Sequence, residues 1–564
     1  MAQESFIHDN SHQTRKTPEF PCSWYSPETG IYSSKHRNVE LPTNPFVDVV
    51  SHIFSYPNNG GSAFIDASSG YSISYSDLLP LVQATAFGLH EMGVSQGDVV
   101  LILLPNSILY PVLFLGALYL GAIVTPMNPL SSFSEVKNQT VGVHVSMAFA
   151  LAQTAIKLRA LGLKVVEVPE NVNLGDENGK FSDLYKLVLG NAGNSIPRPR
   201  INQDDTAAIM YSSGTTGASK GVVLTHRNFI ATVELFVRFE ASQYKEMSWE
   251  NVYLAVLPMF HIYGLAIFGV GLLSLGTSVV VMKKFNVEEV FKAIERYKIT
   301  HIPVVPPIMA AMALKAKSQF HGGSSLSSLK QVSCGAAPLT TKVIADFCRC
   351  FPHVDFIQGY GMTETTAVGT RGFNPGNVKN YTSVGLLAPT VEAKVVNWNT
   401  GLCLPPGKAG ELLLRGPGVM KGYLNNSEAT RLAIEEDGWL HTGDVAYFDH
   451  DGYLYILDRL KEIIKYKGFQ IAPADLEAVL MSHPNILDAA VTAAADEEAG
   501  EIPVAFVVKR PGSSLSRDEV IEHVAKEVAP CKKVREVVFV TSIPKSPAGK
   551  VLRRQLKRLR TSKL

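Results

Sequence analysis

Several short segments combine residue types suited to holding phosphate, ribose and carboxylate groups. The most informative is Ser212-Ser213-Gly214-Thr215-Thr216-Gly217-Ala218-Ser219-Lys220-Gly221. Small residues let a backbone approach a polyphosphate, hydroxyls and amides donate to its oxygens, and Lys220 adds positive charge. The loop is not a Walker A sequence, because no Gly-Lys-Ser/Thr follows the first glycine at the required spacing. A second segment, Gln358-Gly359-Tyr360-Gly361-Met362-Thr363-Glu364, offers a hydroxyl for phosphate and a carboxylate for Mg²⁺. In Gly438-Trp439-Leu440-His441-Thr442-Gly443-Asp444, the aspartate is read at a turn, where it can accept from both hydroxyls of a ribose. Basic residues crowd Asp458-Arg459-Leu460-Lys461-Glu462-Ile463-Ile464-Lys465-Tyr466-Lys467-Gly468-Phe469-Gln470. The loop Pro544-Lys545-Ser546-Pro547-Ala548-Gly549-Lys550 carries a lysine on a Pro/Gly-rich tip that can deliver an ammonium to a site.

The elements around these segments read as α/β. Thr206 to Tyr211 and Val222 to Thr225 form apolar, β-branched runs on either side of the hydroxyl-rich loop. Val99 to Leu104 is a buried strand, followed by a helix from Ile108 to Leu120 with Pro111 in its first turn. Asp451-Gly452 between Val445–Phe448 and Tyr453–Leu457 signals a hairpin. Further on, Pro473 is suited to open a helix. Ser516-Arg517-Asp518-Glu519 is a capping box, with Leu515 and Val520 as its staple. The charged crossing near 458–461 separates a large N-terminal part from about one hundred residues that suffice for a small domain. The division read here is 1–458, a hinge at 459–461, and 462–564.

Composition removes other classes. The chain has 564 residues, 46% hydrophobic and 18% charged, which fits a multidomain globular protein and neither a disordered nor a fibrous one. A formal charge of +1 leaves no global basic field for nucleic acid. The six cysteines, at 22, 334, 348, 350, 403 and 531, show no metal-ligand spacing and read as reduced thiols. No secretory leader is visible. The apolar stretches Val99–Pro126 and Tyr263–Met282 are broken by proline, asparagine or glycine and read as buried elements, the second ending in a strand from Thr277 to Met282. Ser562-Lys563-Leu564 has the form of a peroxisomal address, read by an import receptor.

Taken together, these segments resemble the adenylate-forming enzymes: acyl-CoA synthetases, 4-coumarate–CoA ligases and firefly-type luciferases. They occur in that family's order from about residue 204 to 550. Leu257-Pro258-Met259-Phe260-His261-Ile262-Tyr263 and the run Ile464 to Gln470 are especially similar to the 4-coumarate–CoA ligase-like branch whose members carry a peroxisomal tag. The resemblance implies a large N-terminal α/β domain with a small mobile C-terminal α+β domain. It also implies a reaction with Mg²⁺, ATP and CoA in which an acid forms an acyl-adenylate and pyrophosphate, then an acyl-CoA thioester and AMP.

The resemblance implies roles position by position. Ser212, Ser213, Gly214, Thr215, Thr216 and Lys220 hold the ATP phosphates, Thr363 the α-phosphate and Glu364 the Mg²⁺. Asp444 binds the ribose with Arg459 nearby, and Lys461 is the hinge. Lys465, Gln470 and Lys550 face the nucleotide during adenylation, whereas Lys467, Gly468 and Lys284 face CoA afterwards. His261 lines the acyl site and assists the second half-reaction. Tyr263, Ile267, Ser333, Ala336, Gln358, Gly359, Val368 and Arg371 belong to the acid pocket.

The sequence departs from true 4-coumarate ligases at several points. They typically read Ala-Gly-Pro-Val after the Thr-Glu pair, where this chain has Thr365-Thr366-Ala367-Val368. The stretch Gly410 to Gly416 lacks their cysteine, Arg371 stands where they tend to be apolar, and Ile267 replaces a small polar residue. Ile267 points to an acid with an apolar tail — cinnamate-type, fatty or oxylipin — rather than a hydroxylated ring. A luciferase-like monooxygenase and an enzyme loading a carrier protein share these motifs and are the alternative readings.

Overall fold

The computed structural model describes residues 24–172, 174, 182–189, 198–212, 220–244, 250–319, 326–372, 379–466, 469–496, 499–528, 530–546 and 549–561. Ser213, Gly214, Thr215, Thr216, Lys467, Gly468 and the C-terminal Ser-Lys-Leu therefore lie outside the described residues, as does the side chain of Gln470.

Two sheets built largely from parallel strands form the centre of the large domain. One runs Gly422–Tyr423, Lys220–Thr225, Thr206–Ser212, Ile123–Pro126, Val99–Leu103, Val145–Leu151 and Val165–Val168. All five residues of Val99–Leu103 are buried, because helices and loops cover both faces; hence the unbroken apolar run. The second orders Leu386–Leu387, Thr370–Arg371, Asp355–Tyr360, Gln331–Cys334, His301–Val304, Val252–Ala255, Ser278–Val281, Ser62–Asp66 and Ser72–Ser74. A third, antiparallel sheet includes Gly410–Arg415, Leu440–Phe448 and Leu454–Arg459. These layers share one hydrophobic core that reaches Leu454.

The C-terminal part has its own sheet, which includes Ile464–Tyr466, Phe469–Ile471, Ile486–Asp496 and Gly500–Lys509, and apolar clusters that begin at Ile464. Its local signals act as the sequence suggests. Pro473 opens the helix Pro473–Ser482. Ser516 and Glu519 form a reciprocal capping box, and Leu515 and Val520 pack in one cluster.

The hairpin at Asp451-Gly452 is present, with Gly452 at φ +81°. The apolar stretch after His261 is a buried helix of unusual form. A π-helical segment, Leu265–Val270, runs into a 3₁₀ turn, Gly271–Leu275, before the strand Ser278–Val281. No helix among the described residues is long and apolar enough to cross a membrane. The described residues contain four free cysteines and no group of three or more His, Cys, Asp or Glu side chains placed to hold a metal.

Gly385 illustrates how tightly the site's backing is packed. Its φ is +100°, and a Cβ there would lie 2.0 Å from the carbonyl carbon of Arg371. Gly385→Ala combines left-handed strain with overlap against immobile backbone. It is expected to cost about 3 kcal/mol or more, read as a lowered denaturant midpoint.

Candidate active site

Asp444 is at the centre of the polar cluster. Contrary to the turn expected from sequence, it lies within the strand Leu440–Phe448. The irregularity is in the backbone: Gly443 has φ +67° and the register shifts just beyond, between Val445 and Ala446. That kink turns the carboxylate toward two partners. The Tyr360 hydroxyl donates to Oδ2 at 2.6 Å, and Arg459 Nε approaches Oδ1 at 3.3 Å. Asp444 and Arg459 are direct cross-strand neighbours, which explains how residues fifteen positions apart meet. Burial and the Asp444 charge raise the Tyr360 pKa well above the ordinary phenol value, so its proton stays available for donation. A carboxylate has about four acceptor positions, so Asp444 retains capacity for ribose hydroxyls.

Glu364 is in the 3₁₀ turn Thr363–Thr365, which follows the strand that carries Tyr360 and is itself followed by two residues with positive φ, Thr366 at 52° and Ala367 at 64°. The Tyr423 hydroxyl donates to Glu364 Oε1 at 3.1 Å, and Lys220 Nζ stands 4.7 Å from the Tyr423 ring centre. Tyr423 therefore connects the cation that closes the hydroxyl-rich loop with the buried carboxylate proposed from sequence as the Mg²⁺ ligand. A single carboxylate suits Mg²⁺, which usually keeps waters and takes its other ligands from substrate phosphates. Tyr423→Phe is expected to raise the KM for MgATP about tenfold, the scale of one hydrogen bond to a charged group, in initial-rate kinetics.

Lys550 reaches the same cluster from the C-terminal domain. A Cβ on its neighbour Gly549, at φ +77°, would lie 2.7 Å from Pro307 Cδ, so this tip sits against the large domain. Burial first, then the Arg459 charge, lower the Lys550 pKa to about 8; Asp444 and Glu462 oppose that shift and Lys461 adds to it. Lys461 is exposed in the 3₁₀ turn Leu460–Glu462. Lys465 is exposed on a strand and opposite Gln470 in register. Lys284 is exposed on the large domain.

Of the residues expected in the acid pocket, Ile267, Ser333 and Arg371 line one cavity and the others do not. His261 precedes the short helix Ile262–Gly264, and its Nε2 is buried without a hydrogen-bond partner. Burial lowers its pKa to about 4, so the imidazole is neutral at physiological pH. Ala336 has φ +70°, Gln358 Nε2 donates to the Tyr381 carbonyl, and Tyr263 is in the helix Ile262–Gly264 that follows His261, whereas Val368 lines a separate small cleft with Thr365, Val391 and Gly418. Ile267, Ser333 and Arg371 line a cavity of about 560 Å³. His301 with Pro303, and Gln331 with Ser333, are alternate strand residues and present one sheet face to it. Glu240 also lines the cavity and forms a buried ion pair with Arg371.

Sequence reasoning missed Tyr360, Tyr423 and Glu240 as site residues. Tyr360 was legible only as part of its Gly-rich segment; nothing local marks the other two, because their partners are distant in the chain.

Residues 57–424 match the AMP-binding enzyme family and residues 475–550 match the AMP-binding enzyme C-terminal domain. The chain belongs to the AMP-binding enzyme family. It is 58% identical to "4-coumarate--CoA ligase-like 6" of Arabidopsis thaliana over 98% of this chain and 97% of that protein. It is 42% identical to "Peroxisomal OPC-8:0-CoA ligase 1" of the same species, over 96% and 98%. ATP-bound MatB from Rhodopseudomonas palustris is a structural neighbour, with TM-score 0.79 and 25% identity over 91% of this chain and 98% of that one. So is the O-succinylbenzoate CoA synthetase of Bacillus subtilis bound to ATP and magnesium, with TM-score 0.75 and 25% identity over 90% and 99%. The fold is thus the adenylate-forming one, a large α/β domain followed by a smaller C-terminal domain, and the enzyme is an acid–thiol ligase of the acyl-CoA synthetase class.

Proposed function

We propose that this enzyme activates a carboxylic acid with a mostly apolar tail in two half-reactions. The acid carboxylate attacks the α-phosphorus of ATP, expelling pyrophosphate; CoA thiolate then attacks the acyl carbon of the adenylate, expelling AMP. The observation that carries this reading is the convergence of Asp444, Tyr360, Arg459 and Lys550 from two sheets and two domains. Negative charge that develops on phosphoryl oxygens is best met by cations fixed beforehand, which lowers reorganisation during the reaction. Lys220 and Lys550 supply such charge, Asp444 takes the ribose hydroxyls, and Glu364 would hold Mg²⁺, which would offset phosphate charge. A neutral His261 beside the acyl carbon suits an acceptor for the thiol proton.

One site holds pyrophosphate and CoA thiol poorly at the same time. A C-terminal domain turning about 459–461 resolves the conflict by replacing Lys550 with the Lys467-Gly468 side, with Lys284 on the large domain receiving CoA. The hydroxyl-rich segment through Thr216, Thr363, Lys465 and Gln470 complete the nucleotide site in this reading. Ser562-Lys563-Leu564 supports delivery to the peroxisome through its import receptor.

The test is pyrophosphate release from MgATP over a panel of cinnamic, fatty and oxylipin acids, with and without CoA, products being identified by mass. Acid-dependent release with acyl-CoA formation supports the reading. Release that never yields a thioester would redirect it to oxidation of the adenylate or carrier loading.

A further inference from the structure

The turn that carries Thr363 and Glu364 ends on backbone that its residues resist. Thr366 has φ +52° and Ala367 has φ +64°. Left-handed backbone crowds Cβ against the following carbonyl oxygen, and in a β-branched residue it is a true outlier. Such a residue stays there because its surroundings hold it, and strain of this kind gathers at functional sites.

Two neighbouring elements hold Thr366, which is fully buried. Its hydroxyl donates to the Gly418 carbonyl at 2.9 Å. Its carbonyl accepts from the Thr232 hydroxyl at 2.6 Å. Thr232 lies in the helix His226–Thr232, and Asn228 of the same helix donates Nδ2 to the Pro417 and Val419 carbonyls. Residues 417–424 thus form a strap laid over the turn. Gly418 allows the approach, since a Cβ there would lie 2.7 Å from the Thr365 carbonyl oxygen. The strap returns to Glu364 twice: Met420 N–H donates to its carbonyl at 2.9 Å, and the Tyr423 hydroxyl donates to its carboxylate. It also returns to the strand that closes the hydroxyl-rich loop, where Leu424 N–H donates to the Gly221 carbonyl. Thr366 therefore joins helix and strap through two groups of one strained residue, two positions beyond Glu364.

We propose that Thr366 is a positioning residue of the nucleotide site. With Thr232 and the Gly418 carbonyl it fixes the turn in the one place from which Glu364 would hold Mg²⁺ on ATP. Loss of either bond lets the turn relax toward ordinary backbone and draws the carboxylate away from that place. The assignment rests on reading Glu364 as the Mg²⁺ ligand.

ATP binding without acid tests this, measured by calorimetry once with Mg²⁺ and once with EDTA. Thr366→Val keeps the shape and removes the hydroxyl. Its Kd for ATP with Mg²⁺ rises about tenfold, the scale of one hydrogen bond, while its Kd in EDTA stays within about twofold. Thr366→Ser keeps the hydroxyl and binds as the parent does. Thr366→Gly sheds strain and hydroxyl together and shows the same Mg²⁺-dependent loss, even where Thr366→Val fails to fold. Thr232→Val repeats that loss, and the Thr232→Val/Thr366→Val double variant is no weaker than the weaker single one, because both act through one turn. The assignment is overturned if Thr366→Gly keeps the parent's affinity with Mg²⁺, if the losses are as large in EDTA, or if Thr366→Ser loses as much as Thr366→Val. Glu364→Gln separates the two readings. If it removes the gain from Mg²⁺ and the Thr366 variants do not, the positioning role alone fails; if it leaves the gain intact, the metal reading of Glu364 fails as well.

Discussion

Lys550→Ala is expected to slow acyl-adenylate formation about a hundredfold or more, the scale of one charged donor aimed at a developing oxyanion. The same variant should largely spare thioester formation from a pre-made acyl-adenylate, since in the proposed reaction Lys550 acts on the phosphates and not on the thiol. Equal loss in both steps would remove Lys550 from the adenylation machinery. The ammonium also predicts a pH profile. With a pKa lowered to about 8, Lys550 loses its proton as pH rises through that value. kcat/KM for ATP, which reports groups of the free enzyme, therefore falls on the alkaline side of about 8. Lys550→Arg keeps its charge there, so its alkaline limb should move to higher pH even if its maximum rate is lower.

The second large effect is on stability. Glu240 and Arg371 have side-chain exposures of only 12% and 7%, so each depends on the other to offset desolvation. Removing one partner strands a buried charge, and Glu240→Ala is expected to cost about 3–5 kcal/mol in chemical denaturation. The Glu240→Gln/Arg371→Met variant removes both charges while nearly preserving volume, and should lose much less than either single charge deletion. A double variant as unstable as the sum of its parts would mean that the pair contributes through separate contacts.

The hydroxyl-rich loop, the Thr363-Glu364 pair and the Asp444 and Lys550 segments are legible because each concentrates its chemistry within ten residues and follows local punctuation by glycine or proline. The helix starts at Pro473 and Ser516 are legible for the same reason: a first-turn proline and a reciprocal cap satisfy backbone groups within four residues.

The apolar run from Tyr263 shows where such reading stops. Its composition declares burial, but the π-helical turn that brings Ile267 to the cavity depends on how neighbouring elements pack. Asp444 shows a second limit. Its sequence surroundings resemble a turn, yet long-range sheet pairing makes the segment a strand and leaves only the Gly443 kink.

By itself, then, the sequence determined the chemistry on offer: which hydroxyl, carboxylate and ammonium groups the chain carries, in what order, and that an α/β scaffold presents them. Only the tertiary structure decided which of those groups are already engaged. Tyr360 reaches Asp444 across 84 positions, Tyr423 reaches Glu364 across 59, and Arg371 reaches Glu240 across 131. Whether a buried arginine is a free cation or half of a neutral pair follows from desolvation and the Coulomb field of partners brought in by the fold, and no local pattern encodes it.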